Sequence, residues 1–531
     1  MKLLNHDLRQ MDDAYLDSLD MDRLRAVSKK LLTDLKDARE RLDQNPQNSS
    51  VPPSSRPAYL GMPVDKEDEL NADDGDSPSA KKRKTKPDHE EDSSETSGGS
   101  GIVEQPEKPA DPNKPKRKAG KQVGAPGYGR TQVIPPHRLE VHRAPQCAAC
   151  GGILPPEAPF SAKTGFYVID IKEHDDQHWG VELECVLHHY GETECCGCGH
   201  LSLLMPSQGD GYESADGTIT TRLSEWRLIG PRLASFIVFL TYRMRLSRAR
   251  VQEFLQVWFG LRVATGTIDT CIRESALAAV PIYLLLLAAM PKEPLVNADE
   301  TPWHEKGKVP WLWVFISSSI VLFVIGKRRQ EVALRVLTEA FIGWLMSDGL
   351  LLYRIFPKRL RCLAHLIRKA YGLAESLTEE AREFGNTALA VLGAVLDYRF
   401  GECPLETVRH RLAAFREYCE LVIEKDEHQK ALELAREFLN DWNAIWKVVE
   451  HPEMPATNNV AERILRHWVI ARQISHGTRT AEGSQAVAVL ASIIETGRLR
   501  GIKIWDFLTQ VIAARRRGET PPDMPMPAVA C

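Results

Sequence analysis

The pattern of apolar and polar positions divides the chain into helical and strand-forming stretches. Apolar residues at spacings of seven or four predict a helix over Leu24–Leu42, which suits a short coiled coil or docking on its own protein. Far downstream follow four short apolar runs of residues that favour β-strands: LVNAD, WLWVFI, IVLFVI and IGWLMSD. The first three runs predict three strands in a meander. The helical pattern before the last run predicts that a crossover leads to a fourth strand, which pairs with the first.

The other strong patterns are helical. Arg232–Ser275 breaks at Gly260 and matches either a helix-turn-helix or a plain helix pair. Ala276–Met290 is apolar but too short to span a bilayer, so we predict a buried helix there. Lys358–Trp446 gives helical patterns without a strand signal, and a further helix is predicted to start near Asn459.

Length and composition indicate several domains. The 531 residues exceed one ordinary core, and 46–130 combines Ser, Pro, Gly and charged residues, which predicts a disordered linker. Two basic runs in it, KKRKTKP and KPKRK, either contact phosphates or form part of a solubilising tether. The net charge of −4 does not indicate any particular class of partner. The polar start of the chain predicts a cytoplasmic protein.

The cysteines are clustered. Eleven cysteines in a chain expected to be cytoplasmic favour reduced thiols or metal ligands over disulfides. Two CxxC pairs stand out, and a glycine follows each: Cys147 with Cys150, and Cys195 with Cys198. Because each CxxC turn presents two thiolates to one ion, the two turns predict a closed structural zinc site. Free thiols remain an alternative, as does Cys196 or His200 replacing a member of the second pair.

Three acidic residues are candidates for joint chemistry. Cleavage of a phosphodiester with divalent ions needs about three acids that converge on two metals, and magnesium suits such a site. Asp299 closes the first predicted strand and Asp348 closes the fourth. In the predicted topology these two strands are neighbours. A third acid must come from a helix, and Glu462 is the best candidate. Taken alone, Glu462 also fits a capping box with Asn459 or an ion pair with Arg466.

Several motifs in the same order resemble the catalytic segments of the insertion sequence 66 family of DDE transposases. They are NADETPW, SDGLLLY followed by CLAH and RKA, TNNVAERILR, and SIIETGRLRGI, within Leu295–Leu508. Upstream, NSSVPPSS and GKQVGAPGYGR are similar to linker elements of that family, so the resemblance covers almost the whole chain. Three segments depart from the family pattern: the long acidic linker, His467–Val469 and ISHGTRTAEG. These departures concern how the ends of the element are recognised and do not concern the three acids.

The resemblance implies a ribonuclease-H-like fold with an Asp, Asp, Glu triad, carried onto Asp299, Asp348 and Glu462. It implies Mg2+ or Mn2+ at these acids, cleavage at the ends of an insertion sequence, and transfer of the freed 3′ hydroxyl to target DNA. The implied partners are the terminal inverted repeats of the element and target DNA. A homo-oligomer is expected, and accessory proteins of the element are left open. No membrane association is expected, and the implied location is the bacterial cytoplasm, in association with the nucleoid. Glu300 is not expected to be a ligand, because adjacent strand residues point to opposite faces.

Other side chains near these acids have smaller expected roles. Cys362 and His365, one helical turn apart, resemble a Cys and His element of the family. We expect packing and substrate positioning rather than zinc binding, because two further ligands are lacking nearby. Basic residues on nearby helices are candidate DNA phosphate contacts: Arg262, Arg273, Arg368, Lys369, Arg463, Arg466 and Arg472.

The predicted fold class is multidomain α+β, with a ribonuclease-H-like α/β catalytic core interrupted by a helical insertion. The predicted boundaries are 1–45 for an N-terminal coiled-coil helix, 46–130 for the linker, 131–205 for a zinc-binding module, 215–290 for a helix-turn-helix-like DNA-binding region, 291–365 and 451–515 for the core, 366–450 for the insertion, and 516–531 for a disordered tail. The predicted function is a DDE transposase. An inactive DNA-binding regulator and a nuclease without strand transfer are the alternatives, because a fold does not specify the acceptor.

Overall fold

A computed structural model describes residues 21–42, 132, 134–172, 180–207 and 221–526. By internal packing the chain divides into two units, residues 1–57 with 134–531 and residues 58–133. Apart from Gln132, the described residues belong to the first unit. The predicted linker 46–130, its basic runs and the motifs NSSVPPSS and GKQVGAPGYGR lie outside the described residues.

The first described element is the helix α1 (Met21–Leu42), which confirms the helix predicted from the apolar spacing. Leu32 is 54% exposed and Leu35 is 65% exposed, so these two leucines extend into solvent. The coiled coil stays a prediction.

A small sheet carries the cysteine pairs. It contains β1 (Arg138–His142), β2 (Phe160–Ile171), β3 (Leu183–Glu194) and β4 (Leu201–Leu203). β1 lies parallel to β3, whereas β2 and β4 are antiparallel to it. The CxxC spacing predicted the cysteine turns. The strands were not predicted, because their sequences lack a regular alternation of apolar and polar residues.

Three helices follow this sheet: α2 (Pro231–Tyr242), α3 (Arg248–Phe259) and α4 (Thr265–Ala289). Gly260 ends α3 in the left-handed conformation, at φ 61°, which confirms the predicted break. Among the described residues, one segment, Thr265–Lys292, is long and apolar enough to cross a membrane, but 67% of its most apolar 18-residue window is buried within the protein. This burial confirms the predicted core helix, and it leaves little of α4 beyond its first turn to face a DNA groove.

The central sheet has five strands among the described residues: β5 (Leu295–Pro302), β6 (Trp311–Ile316), β7 (Val321–Gly326), β8 (Trp344–Ser347) and β9 (Arg359–Arg361). Their order is β7-β6-β5-β8-β9, with α5 (Gln330–Leu337) between β7 and β8 in the chain. The first three are antiparallel and β8 joins β5 in parallel, which confirms the predicted meander and crossover. The prediction of no strand after Lys358 was wrong, because β9 is three residues long and mostly charged.

Eight helices complete the described part of the chain: α6 (Leu363–Ala374), α7 (Glu379–Arg399), α8 (Leu405–Lys425), α9 (Gln429–Asn440), α10 (Trp442–Glu450), α11 (Asn459–Ser475), α12 (Ala481–Leu499) and α13 (Ile504–Arg516). α6 to α10 share one apolar core, in agreement with the predicted helical insertion. α11 to α13 share another core with α2, α4 and the strands β5 to β8.

The edge strand β7 is covered by α12. The amide of Val321 donates to Thr496 Oγ1 at 3.0 Å and the amide of Phe323 donates to Ser492 Oγ at 2.8 Å. Helix side chains therefore pair the open edge, which prevents this strand from pairing with another chain.

The residues after α13 differ from the predicted disordered tail. Met524 is buried in the core, and the carbonyls of Met524 and Pro525 accept hydrogen bonds from Arg500. Residues 517–526 are therefore held against the protein by one apolar side chain and one guanidinium.

Candidate active site and metal centres

The register of β5 and β8 sets two acidic residues at equivalent heights. Leu295 pairs with Trp344, and Asp299 and Asp348 each lie four residues further along. The parallel pairing ends at Asn297 and Met346, so both acids lie where the two strands part. β5 itself continues to Pro302 alongside β6, so Asp299 lies within its strand rather than at the end as predicted.

Glu462 lies in the first turn of α11, and buried amides attach the start of that helix to β5. Asn458 is fully buried; its Nδ2 donates to Ala298 O at 2.8 Å, and Asn297 Nδ2 donates to Asn458 Oδ1 at 3.0 Å. Because Asn297 and Asp299 are two residues apart in one strand, they share a face. The two asparagines therefore bring Glu462 toward the face that carries Asp299.

The capping-box alternative for Glu462 is wrong in this fold. Asn458, not Asn459, precedes the helix, and it makes no side-chain hydrogen bond to the helix amides. Glu462 instead faces α6: Arg368 Nη2 donates to its Oε2 at 3.3 Å, and His365 Nδ1 lies 3.6 Å from its Oε1. The suggested pair with Arg466 is replaced by these contacts.

The acids share one electrostatic environment. Burial raises the pKa of Asp299 well above its usual range, and the negative charges of Asp348, Glu300 and Glu462 raise it further. Burial lowers the pKa of His365, against the opposing fields of Asp348 and Glu462. Close carboxylates resist joint ionisation unless a cation lies between them.

Several buried polar atoms around these acids have no hydrogen-bond partner. Within the described residues they include Asp348 Oδ1, Glu462 Oε1 and His365 Nδ1. Unpaired buried acceptors cost free energy, so a convergent set of them fits a bound cation. Cys362, His365 and Glu462 also form a possible ligand set, with one donor atom from each within 4.8 Å of the others. Sequence reasoning found Cys362 and His365 but did not count Glu462 as their third member.

Glu300 faces a different set of partners from Asp299. Arg328 Nη2 donates to Glu300 Oε1 at 2.8 Å and Tyr353 Oη donates to Oε2 at 3.1 Å. Burial, followed by the charge of Asp348, raises the pKa of Glu300 to about 7. These contacts agree with the expected alternation of side chains along β5 and supply Glu300 with protein donors.

Asp348 is followed by a glycine that the packing requires. Gly349 has φ 137°, and a Cβ there would lie 2.3 Å from Arg361 Nη2. The buried Arg361 guanidinium donates to Asp441 and Glu437, each at 2.6 Å. Arg361 thereby ties β9 to the helical insertion directly beside Asp348, a role that its short charged strand did not reveal in sequence.

Three of the candidate DNA contacts have exposed side chains, and a fourth is paired with an acid of the site. Arg463 and Arg466 are exposed on α11, and Arg262 is exposed before α4. Arg368 is bound to Glu462.

The other three candidate DNA contacts are paired with acceptors of the protein. Arg472 is 8% exposed and donates to Thr301 Oγ1 and Pro302 O, so it fixes α11 to β5. Arg273 donates to Glu482, and Lys369 donates to Glu437 at 2.6 Å. These side chains are occupied by acids or carbonyls of the protein, information that a charge pattern does not contain.

A basic cleft lies at the tip of the β5–β6 connection. It has a volume of about 690 Å³ and is lined by His304, Lys306, Gly307, His476, Thr478, Arg479 and Thr480. Two backbone bonds close it: Thr478 N donates to His304 O at 2.8 Å, and Lys306 N donates to Thr478 O at 3.1 Å. Gly477 has φ 83° and leaves no room for a Cβ beside His304 O. Its residues belong to the HEKG and ISHGTRT segments.

The four predicted zinc ligands converge. Cys147 Sγ lies 3.6 Å from Cys198 Sγ, and Cys150 Sγ lies 3.7 Å from Cys195 Sγ. Four sulfurs about 2.3 Å from one zinc ion in a tetrahedron are about 3.8 Å apart, so these distances fit one ion. The Cys150 amide lowers the pKa of Cys147 to about 6, which favours the thiolate. Cys196 and His200 are outside this set.

Comparison with known proteins identifies the domain. The family model described as "Transposase IS66 family" matches residues 227–486, from just before α2 into α12. These residues therefore carry a transposase domain. The match confirms, for these residues, the resemblance to the IS66 family of transposases seen in the motifs.

Two curated relatives from Sinorhizobium fredii (strain NBRC 101917 / NGR234) are similar to this chain. Uncharacterized protein y4jD is 23% identical over 322 residues, 54% of this chain and 63% of the relative. Uncharacterized protein y4jO is 34% identical over 62 residues, 12% of this chain and 19% of the relative. The chain thus spans under two thirds of either relative.

Proposed function

We propose that this protein is a DNA transposase that cleaves phosphodiester bonds at the ends of an insertion sequence and transfers the 3′ hydroxyl ends to target DNA. The supporting observation is that β5, which carries Asp299, meets both β8, which Asp348 directly follows, and α11, which carries Glu462. Asp299 and Asp348 share a register position, and the Asn297–Asn458 pair attaches the helix of Glu462 to the same strand. We regard the sheet that holds them as ribonuclease-H-like.

Asp299, Asp348 and Glu462 would hold Mg2+ or Mn2+. The unpaired Asp348 Oδ1 and Glu462 Oε1 support this assignment, because an oxygen-binding cation satisfies both. When bound, two such ions activate the attacking oxygen and stabilise the charge on the leaving oxygen. The raised pKa of Asp299 means that cation binding displaces a proton, so apparent affinity for the cation should increase with pH.

The neighbouring side chains have supporting roles. Arg368 holds one oxygen of Glu462 and leaves the other facing His365. We assign His365 to positioning Glu462 and the DNA strand, and we assign Arg361 to holding the turn after Asp348. Because these residues act through the acids, their loss should lower turnover more than DNA affinity.

DNA would contact the exposed Arg463 and Arg466 and the basic cleft beside the β5–β6 connection. Lys306 and Arg479 supply positive charge there without a requirement for base contacts. Such contacts predict strongly salt-dependent binding, because each neutralised phosphate releases counterions.

The test uses full-length protein with linear DNA that carries the terminal inverted repeats of its element, in Mg2+ or Mn2+. Asp299→Asn, Asp348→Asn and Glu462→Gln should each abolish cleavage and joining while the affinity for DNA persists. Glu406→Gln is the matched control, since this side chain is 82% exposed and far along the insertion. Wild-type activity in any of the three variants would remove that residue from the site. Cleavage without joining would instead favour a nuclease, and binding without cleavage a regulator.

The four-cysteine cluster would hold a structural zinc ion, since its sulfur spacing fits a closed tetrahedral site. A zinc-selective chelator should unfold the small sheet, because metal binding supplies folding free energy. Unchanged hydrogen exchange in residues 138–203 after zinc removal would reject a structural role.

We also propose self-association through α1. The exposed Leu32 and Leu35 support it, because leucines on one long helix can pair with a second copy. Leu31→Glu with Leu35→Glu, on the stripe given by the apolar spacing, should lower the mass measured by light scattering. Lys29→Glu, which lies off that stripe, should not. An unchanged mass would contradict this assignment.

A further inference from the structure

Three side chains on the small sheet form a cluster apart from the four cysteines. Glu140 Oε2 lies 3.2 Å from His188 Nδ1 and 3.7 Å from His142 Nε2. The two imidazole nitrogens are 2.8 Å apart. One donor atom from each residue lies within 4.8 Å of the others, and none of the three takes part in the cysteine cluster.

The strand pairing explains this convergence. β1 runs parallel to β3, with Glu140 opposite His188 and His142 opposite Tyr190. Since side chains two residues apart share a face, Glu140 and His142 project on one side of β1. The three residues come from segments 46 positions apart, so sequence spacing gave no sign of them.

Aromatic rings fix the orientation of both imidazoles. The His142 ring stacks on Tyr190 at 4.2 Å between centroids, and the His188 ring stacks on Phe166 at 5.4 Å. The second carboxylate oxygen of Glu140 contacts Arg138. Glu140 therefore directs Oε2 toward the histidines while Oε1 is held from behind.

We propose that Glu140, His142 and His188 bind a second divalent transition-metal ion, with zinc as the best match. Two imidazoles and one carboxylate are ligands that zinc accepts, and three protein ligands leave a fourth position for water or another small ligand. Without metal, His142 Nε2 and His188 Nδ1 form a hydrogen bond with each other. An ion about 2.1 Å from each sets them about 3.4 Å apart, so a movement of about 0.6 Å converts the hydrogen bond into a ligand pair.

This site is independent of the catalytic proposal, and metal stoichiometry tests it directly. Full-length protein with Glu462→Gln, which removes the acid shared by the catalytic site and the Cys362 and His365 set, is dialysed against zinc. It should retain about two equivalents of zinc per chain by mass spectrometry, one at the four cysteines and one at Glu140, His142 and His188. His142→Gln with His188→Gln should lower this value by about one equivalent. His189→Gln is the matched control, because His189 is the next residue on β3 and points to the opposite face.

Cobalt substitution separates the two ligand sets by spectrum. The cysteine site should give intense thiolate charge-transfer bands, and the Glu140 site should give weak visible bands that the double histidine variant lacks. Glu140→Gln provides a second test should that double variant fold poorly: we expect at least tenfold weaker zinc binding at this site and unchanged thiolate bands. Wild-type stoichiometry in the double histidine variant, or one equivalent in the wild type, would overturn the proposal and leave a hydrogen-bonded histidine pair.

Discussion

Replacement of Glu300 by Gln should make the unfolding free energy less sensitive to pH. Glu300 is buried between Arg328 and Tyr353, and its pKa is raised from 4.5 to about 7 by burial and by Asp348. A carboxyl with a raised pKa adds stability below its unfolded pKa, and that stability is lost as pH rises through the folded pKa. Gln cannot ionise, so the variant avoids this loss.

The magnitude follows from the two pKa values. A shift from 4.5 to about 7 corresponds in total to about 3.4 kcal/mol at 1.36 kcal/mol per unit. Between about pH 5.5 and pH 8 the linkage relation assigns about 2 kcal/mol of this loss to the wild type. The unfolding free energy of the variant minus that of the wild type should therefore rise by about 2 kcal/mol over this range.

Urea unfolding followed by tryptophan fluorescence, with zinc present and magnesium absent, measures this difference. Glu406→Gln provides the baseline, since it makes the same substitution at a carboxyl that is 82% exposed. Asp348→Asn should shrink the effect, because Asp348 is the second cause of the raised pKa. If the difference between Glu300→Gln and the wild type stays flat or falls from pH 5.5 to pH 8, then Glu300 is ionised throughout and the Arg328 pair dominates.

Three further predictions concern the site and the small sheet. Asn458→Ala should cost about 2 to 4 kcal/mol in urea unfolding, because two buried partners lose their hydrogen bonds, and should lower cleavage more than DNA binding; an unchanged cleavage rate would reject the positioning role. Gly477→Ala should weaken DNA binding in a salt titration, since its Cβ would displace His304 and distort the basic cleft; equal affinity would remove the cleft from the DNA surface. Cys147→Ser should abolish zinc-dependent protection of the small sheet in hydrogen exchange; retained protection would mean that the other ligands suffice.

The sequence predicted the relation between Asp299 and Asp348 because strand order follows from local patterns. Alternating apolar runs, one hairpin signal and one crossover helix leave few topologies, and these rules place the first and fourth strands side by side. The cysteine set was likewise predictable, since two CxxC turns have one common chemical purpose. Both predictions depend on short-range spacing that folding preserves.

The partners of the charged side chains were not predictable in the same way. Arg472, Arg273 and Lys369 were expected at DNA, yet each binds an acceptor of the protein that lies distant in sequence. Arg361 was read as part of a helical stretch but is a buried strand residue with two acidic partners. Charge alone does not distinguish a phosphate contact from an internal ion pair, because both need the same guanidinium.

The sequence by itself determined the resemblance to a transposase family, the strand order and the four-cysteine cluster, because these depend on motifs and periodicities encoded within short segments. The tertiary structure alone decided which atoms lie together. The Asn297–Asn458 bond joins residues 161 positions apart, and the pairing of β1 with β3 creates the Glu140, His142 and His188 cluster. Such contacts depend on the register between strands and on how far one packed element lies along another. The order of residue types in the sequence specifies neither of these two distances.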